Sequence, residues 1–168
     1  MVIVGIDPGY AIIGWGVIEQ RHGRFAPRAY GAVTTEAGVP FNRRLKQIYE
    51  EITRVLQAHP ADALAIEKLY FTTNKTTAIQ VAQARGVILL AAEQQGVPVF
   101  EYTPLQVKSA VTGYGKAQKP QVMEMTRRLL SLKETPKPDD TADALAIAIC
   151  HAQTGGMAQR LQQATKRR

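Results

Sequence analysis

The chain has 168 residues, enough for one domain with a full hydrophobic core and too few for two. With 45% hydrophobic and 21% charged residues it reads as a folded soluble protein, which excludes an intrinsically disordered one. Its formal charge is +7, and four of the basic residues (Arg160, Lys166, Arg167 and Arg168) fall in a stretch that holds no acid. That balance points to a polyanionic partner such as nucleic acid. No apolar run approaches the roughly 18 residues that cross a bilayer. The start, MVIVGIDPGY, has no basic segment ahead of its apolar residues, and the lone Cys150 excludes an internal disulfide or a cysteine-based zinc site. A bacterial cytoplasmic protein with no membrane attachment is expected.

In chain order, residues 1–6 form an apolar run that predicts a buried strand, ended by Asp7-Pro8-Gly9. Residues 11–20 and 24–35, separated by His22-Gly23, predict two further strands in a meander. From 40 to 57, Phe41, Leu45, Ile48, Ile52, Val55 and Leu56 recur at steps of three and four, the period of an amphipathic helix. A short strand follows at 63–67. A long, mostly apolar helix is expected at 74–95, with Ala82 and Gly86 forming a small-residue face that suits a partner helix or packing on the sheet. A fifth strand at 97–102 and helices at 104–111, 120–132 and 140–152 complete the series. This order predicts an α/β fold with a mixed five-stranded sheet and helices on both faces.

The acids carry the chemistry. Asp7 and Glu67 each close an apolar strand, and if those strands are parallel neighbours both carboxylates emerge at one edge of the sheet, where open α/β folds place their sites. Asp140 and Asp143 stand three apart and so share a helix face. A capping box would account for one of them, with Asp140 or Asp139 as the cap. The helix they open is apolar nearly all round, however, and gathering acids beside it costs several kcal/mol unless a cation offsets the charge. Carboxylates converging in a basic protein suit hard divalent cations and phosphodiester chemistry.

The segments GIDPGYAIIGWGV, IEKLYF-x-x-N-K (66–75), QARG (83–86), QVKSAV-x-G-x-G (106–115) and D-T-A-D-A-L-A-I-A (140–148) are together highly specific. By them the chain resembles the RuvC-type Holliday junction resolvases, crossover junction endodeoxyribonucleases of the ribonuclease H-like superfamily. The resemblance implies a single ribonuclease H-like nuclease domain over residues 1–153; Gly155-Gly156 and the basic end suggest a basic, disordered tail at 154–168. The resemblance also implies Asp7, Glu67, Asp140 and Asp143 as catalytic carboxylates and metal ligands, with Asp139 a neighbour that blurs the third assignment. Two Mg²⁺ ions per site are implied, with Mn²⁺ as a substitute. Lys108 and Lys119 match lysines acting near the scissile phosphate. The family implies a homodimer on four-way junction DNA that makes paired symmetric nicks, leaving 5′-phosphate and 3′-hydroxyl ends, and that works in recombination and repair with the RuvA and RuvB branch-migration proteins.

Between Lys108 and Lys137 seven positive residues face two acids, and the GYGKAQK stretch is a glycine-bearing basic loop able to approach a phosphate backbone. Tyr70, Phe71, Lys75, Lys108, Lys116 and Lys119 are the expected DNA-binding residues, the aromatic pair stacking on unpaired bases at the crossover. His22, His59 and His151 show no ligand spacing and are given no chemistry. Competing readings are a ribonuclease H-like nuclease on structured RNA and a non-catalytic junction-binding protein; the intact set of acids argues against the second.

Overall fold

The computed structural model describes the backbone of residues 1–69 and 75–166, and the side chains of residues 1–69 and 77–155. β1 (Val2–Asp7), β2 (Ile12–Arg21) and β3 (Arg24–Thr34) form an antiparallel meander. The β2–β3 turn is His22-Gly23, both at positive φ, so a two-residue turn follows the twist of the flanking strands. After α1 (Phe41–Ala58), β4 (Ala63–Glu67) joins β1 in parallel. After α2 (Lys75–Gln94), β5 (Val99–Tyr102) joins β4 in parallel. The sheet order is β3-β2-β1-β4-β5, and α3 (Pro104–Thr112), α4 (Lys119–Leu129) and α5 (Asp139–Lys166) follow it. Among the described residues no helix is long and apolar enough to cross a membrane.

The period-2 alternation of the central strands divides the core between the two faces of the sheet. Val4, Ile6, Leu64 and Ile66 pack with Ile48, Ile52 and Leu56 of α1 and with Ala84, Ile88 and Ala91 of α2. On the other face Ile3, Ala63, Ala65 and Phe100 pack with Val107, Val122, Leu145 and Ile149 from the last three helices. Expected and observed elements agree in number, type and order.

What positions the site is the seat of α5. A Cβ on Gly5 would overlap the carbonyl oxygen of Ala144, and one on Gly14 would overlap that of Asp140. Only glycine lets the helix backbone lie directly on β1 and β2 at these points. From 141 to 152 every residue of α5 is buried except Asp143.

The boundaries hold two corrections. The last helix was expected over 140–152 with a tail beyond, whereas α5 is helical from Asp139 to Lys166. Gly155 does not break it, because that position abuts the His151 ring and has no room for a side chain. With α5 starting at Asp139, both Asp139 and Asp140 lie inside its first turn, where the positive end of the helix dipole favours acids.

Candidate active site

Strand alternation aims two of the four acids. Ile3 of β1 and Ala63 and Ala65 of β4 face the α5 side, so Asp7, four residues on from Ile3, and Glu67, two on from Ala65, do as well. The parallel register pairs Ile6 with Ile66, which brings Asp7 and Glu67 off adjacent strands at the same level. Asp7 is itself paired with Gly14, the residue on which the Asp140 carbonyl rests, so the close seat of α5 sets its first turns beside Asp7. Asp143 is the one opening in the buried stretch of that helix.

Two lysines complete the group. α3 is fixed by a capping box in which Thr103 Oγ1 accepts from the Gln106 N–H at 3.1 Å and Gln106 Oε1 accepts from the Thr103 N–H at 2.8 Å. One turn on, this presents Lys108. α4 starts at Lys119, where the Gln118 N–H donates to Gln121 Oε1 at 2.9 Å. Asp7, Glu67, Asp143, Lys108 and Lys119 line one cavity of about 250 Å³, walled on its apolar side by Pro104, Val107, Val122 and Ile147. Lys119 Nζ lies 2.9 Å from Asp143 Oδ2 and 3.6 Å from Asp139 Oδ2.

The electrostatics follow from crowding acids at the edge of a core. Burial pushes the Asp7 carboxyl up to about 7, and Asp143, Glu67 and Asp140 push in the same direction, with Lys119 opposing them. Glu67 is raised by burial and by Asp143, and Lys108 offsets part of that. Asp143 is raised by burial, while its hydrogen bond from Lys119 works against the rise. With its carboxyl at about 7, Asp7 reaches full charge at neutral pH only when further positive charge arrives.

The structure brings together Asp7, Glu67, Asp143, Lys108 and Lys119. Asp140 adds its charge to Asp7 but does not line the cavity, and Lys116 is exposed on the loop before α4. Tyr70 and Phe71 lie outside the described residues, and Lys75 is described only as the first backbone position of α2. Asp7, Glu67 and Asp143 meet in one cavity and Asp140 stands outside its lining; among the described residues no three His, Cys, Asp or Glu side chains are gathered into a metal-holding group. In the structure the positive charge among these acids comes from Lys119, beside Asp143 and Asp139, and from Lys108 near Glu67. The donor chemistry nonetheless suits a hard divalent ion, since three carboxylates from different elements share one partly buried cavity, and Asp7 and Glu67 are raised by burial and then by repulsion from neighbouring acids.

Sequence reasoning did not find the apolar wall, the Asp139–Lys119 contact or the surroundings of His151. That histidine is buried against Phe100, with Nδ1 2.7 Å from the Tyr102 hydroxyl, and burial pushes its pKa down to about 4. It is a core residue behind β5. The apolar spacing of 140–152, which already marked a buried helix, was the available signal.

The family model for crossover junction endodeoxyribonuclease RuvC matches residues 3–151. The chain belongs to the RuvC family. A crossover junction endodeoxyribonuclease RuvC of Brevibacillus brevis is 59% identical over 153 residues, covering 91% of this chain and 92% of the relative. One from Desulfitobacterium hafniense is 54% identical over 161 residues, covering 96% and 98%. A solved structure of Thermus thermophilus RuvC in complex with a Holliday junction substrate is 36% identical, covers 94% of this chain and 96% of that one, and superposes with a TM-score of 0.86. The mixed five-stranded sheet with helices on both faces is thus the RuvC fold, and the cavity at its edge lies within the residues that the family model matches.

Proposed function

We propose that the chain resolves four-way DNA junctions by paired, symmetric, Mg²⁺-dependent nicks that leave 5′-phosphate and 3′-hydroxyl ends. The observation that carries this reading is the convergence of Asp7, Glu67 and Asp143, from three elements, with Lys108 and Lys119 in one cavity of a basic RuvC-family chain. Asp7, Glu67 and Asp143 would hold divalent ions, two per site, with Asp140 at the edge and Mn²⁺ as a substitute. Bound there, such ions supply activation of the attacking water and neutralisation of charge on the scissile phosphate. The chain's own residues do the rest. The acids fix the position of the reacting centre on rigid strands and a buried helix. The wall of Pro104, Val107, Val122 and Ile147 limits water on one side. Lys108 and Lys119 place positive charge where a phosphate enters, and Lys119 is freed for it once Asp143 has another cationic partner. The bond that breaks joins phosphorus to the 3′ oxygen, and water supplies the oxygen that stays on the 5′-phosphate.

Symmetric nicks follow from a two-fold dimer in which each subunit supplies one site. The outer face of α2 suits that contact: Ile79 is 58% and Leu90 50% exposed, and open space surrounds Gly86 between them. Tyr70 and Phe71, just past Glu67, and Lys75 with Lys116 would extend the DNA surface from the cavity, and RuvA and RuvB are the expected partner proteins in a bacterial cytoplasm. The test is a labelled mobile four-way junction incubated with the purified chain and Mg²⁺. Paired nicks that DNA ligase can seal, with linear duplex left intact, are expected, and Asp7→Asn should bind the junction without cutting it. Equal cleavage of linear duplex, cleavage of structured RNA alone, or nicking by Asp7→Asn would each overturn the reading.

A further inference from the structure

Beside the cavity, on the loop that joins α3 to α4, stands an exposed tyrosine whose backbone is held fast. α3 ends at Gly113 in the left-handed region, with φ 75°. The Thr112 hydroxyl accepts from the Tyr114 N–H at 3.1 Å and donates to the Lys108 carbonyl at 2.8 Å. The Ala117 N–H closes on the Tyr114 carbonyl at 3.1 Å. Despite these ties the Tyr114 residue is 59% exposed. Its neighbour Gly115 folds back against Leu105, itself 62% exposed, so tightly that a Cβ there would come within 3.1 Å of Leu105 Cγ. Leu105 directly follows Pro104 of the cavity wall, which places Leu105, and the loop that packs on it through Gly115, at the cavity rim. Along the chain, residues 102–123 contain Lys108, Lys116 and Lys119 and no acid.

A single exposed apolar side chain needs no explanation, but a clamped aromatic beside a second exposed apolar residue and among lysines has the composition of a nucleic-acid stacking platform. The lysines attract the backbone, and an aromatic ring held on a fixed backbone gives up little freedom when a base lies on it. We propose that Tyr114, supported by Leu105, stacks on a base of the substrate strand that is splayed out at the junction, and so favours four-way over linear DNA. This rests on the junction-resolving function proposed above and adds a recognition residue to that same site.

The experiment compares wild type, Tyr114→Ala and Tyr114→Phe in equilibrium binding to a four-way junction and to a linear duplex, over a series of salt concentrations. Circular dichroism and thermal melting report the fold. The Tyr114 hydrogen bonds in the structure are made by its backbone, so Tyr114→Ala is expected to melt with wild type. It should bind the junction about 5- to 150-fold more weakly, the range for losing one stacked base. Tyr114→Phe should stay within about twofold of wild type. Binding to linear duplex and the slope of junction affinity against salt should not change, since no charge is removed. Junction binding by Tyr114→Ala equal to wild type, an equal loss on linear duplex, or a Tyr114→Phe defect as large as that of Tyr114→Ala would overturn the proposal while leaving the functional reading intact. A wild-type chain with no preference for the junction would overturn that reading, and the stacking proposal with it.

Discussion

Replacing Asp7 by Asn is expected to stabilise the metal-free fold at the same time as it ends nicking. The Asp7 carboxyl stands at about 7 in the folded chain, against 3.8 for an unperturbed aspartate. Across that window the folded chain keeps a proton that the unfolded chain has released, so stability falls as pH rises from about 4 to about 7. A shift of roughly three units corresponds to something on the order of 4 kcal/mol, an upper figure because partner side chains relax and solvent screens part of the repulsion. Asn removes the charge, relieves Glu67 and Asp143 of a neighbour, and fills nearly the same volume. For a chain of this length each kcal/mol moves the melting temperature by about 2–4 °C. In EDTA, Asp7→Asn should therefore melt together with wild type near pH 4 and several degrees above it at pH 8. Added Mg²⁺ should raise the wild-type melting temperature at pH 8 and narrow that gap. A variant that melts below wild type at pH 8, or by the same margin at both pH values, would refute the claim that these acids are held together against their own repulsion.

Gly14→Ala drives a methyl group into the Asp140 carbonyl; it should cost more than about 3 kcal/mol in a denaturant titration, because backbone rather than a side chain must move. Lys119→Ala removes the ammonium 2.9 Å from Asp143 and should lower the single-turnover nicking rate at least tenfold, an outcome that an unchanged rate would exclude. Tyr102→Phe leaves buried His151 Nδ1 without its hydroxyl partner and should lower stability by about 1–3 kcal/mol. Burial holds His151 down at about 4, so its own contribution to stability is lost as pH drops below 6.5, opposite in sign to that of Asp7 over the same window; in the Asp7→Asn background, His151→Gln should flatten that acid limb of a thermal-melting profile. Leu90→Glu places a charge on the exposed α2 face, and sedimentation should show a shift from dimer towards monomer.

Much of this was legible because the signals were local. Val2 to Ile6 and Ala63 to Ile66 are short apolar runs that end in acids, and period 2 alone sends Asp7 and Glu67 to one side once the strands are neighbours. The nearly unbroken apolar composition after Asp143 marked a buried helix, and α5 is one. What stayed hidden depends on approach in space. Gly5 and Gly14 look like weak strand residues until the helix backbone is seen resting on them. Gly155 reads as a helix breaker, yet its missing side chain makes room for the His151 ring. The gathering of acids was legible as a tendency, but the insertion of Lys119 beside Asp143 depends on where α4 starts relative to α5, which no spacing along the chain reveals. Tyr114 was passed over within a loop read for its lysines and glycines.

The seat of α5 also has a consequence in time. Asp7 lies on β1 and Asp143 on α5, a helix that is made after all five strands and lies across β1 and β2. A growing polypeptide therefore presents Asp7, Glu67 and Lys108 before the helix that carries Asp143 has been made. The cavity is complete only once α5 has come to rest on β1 and β2.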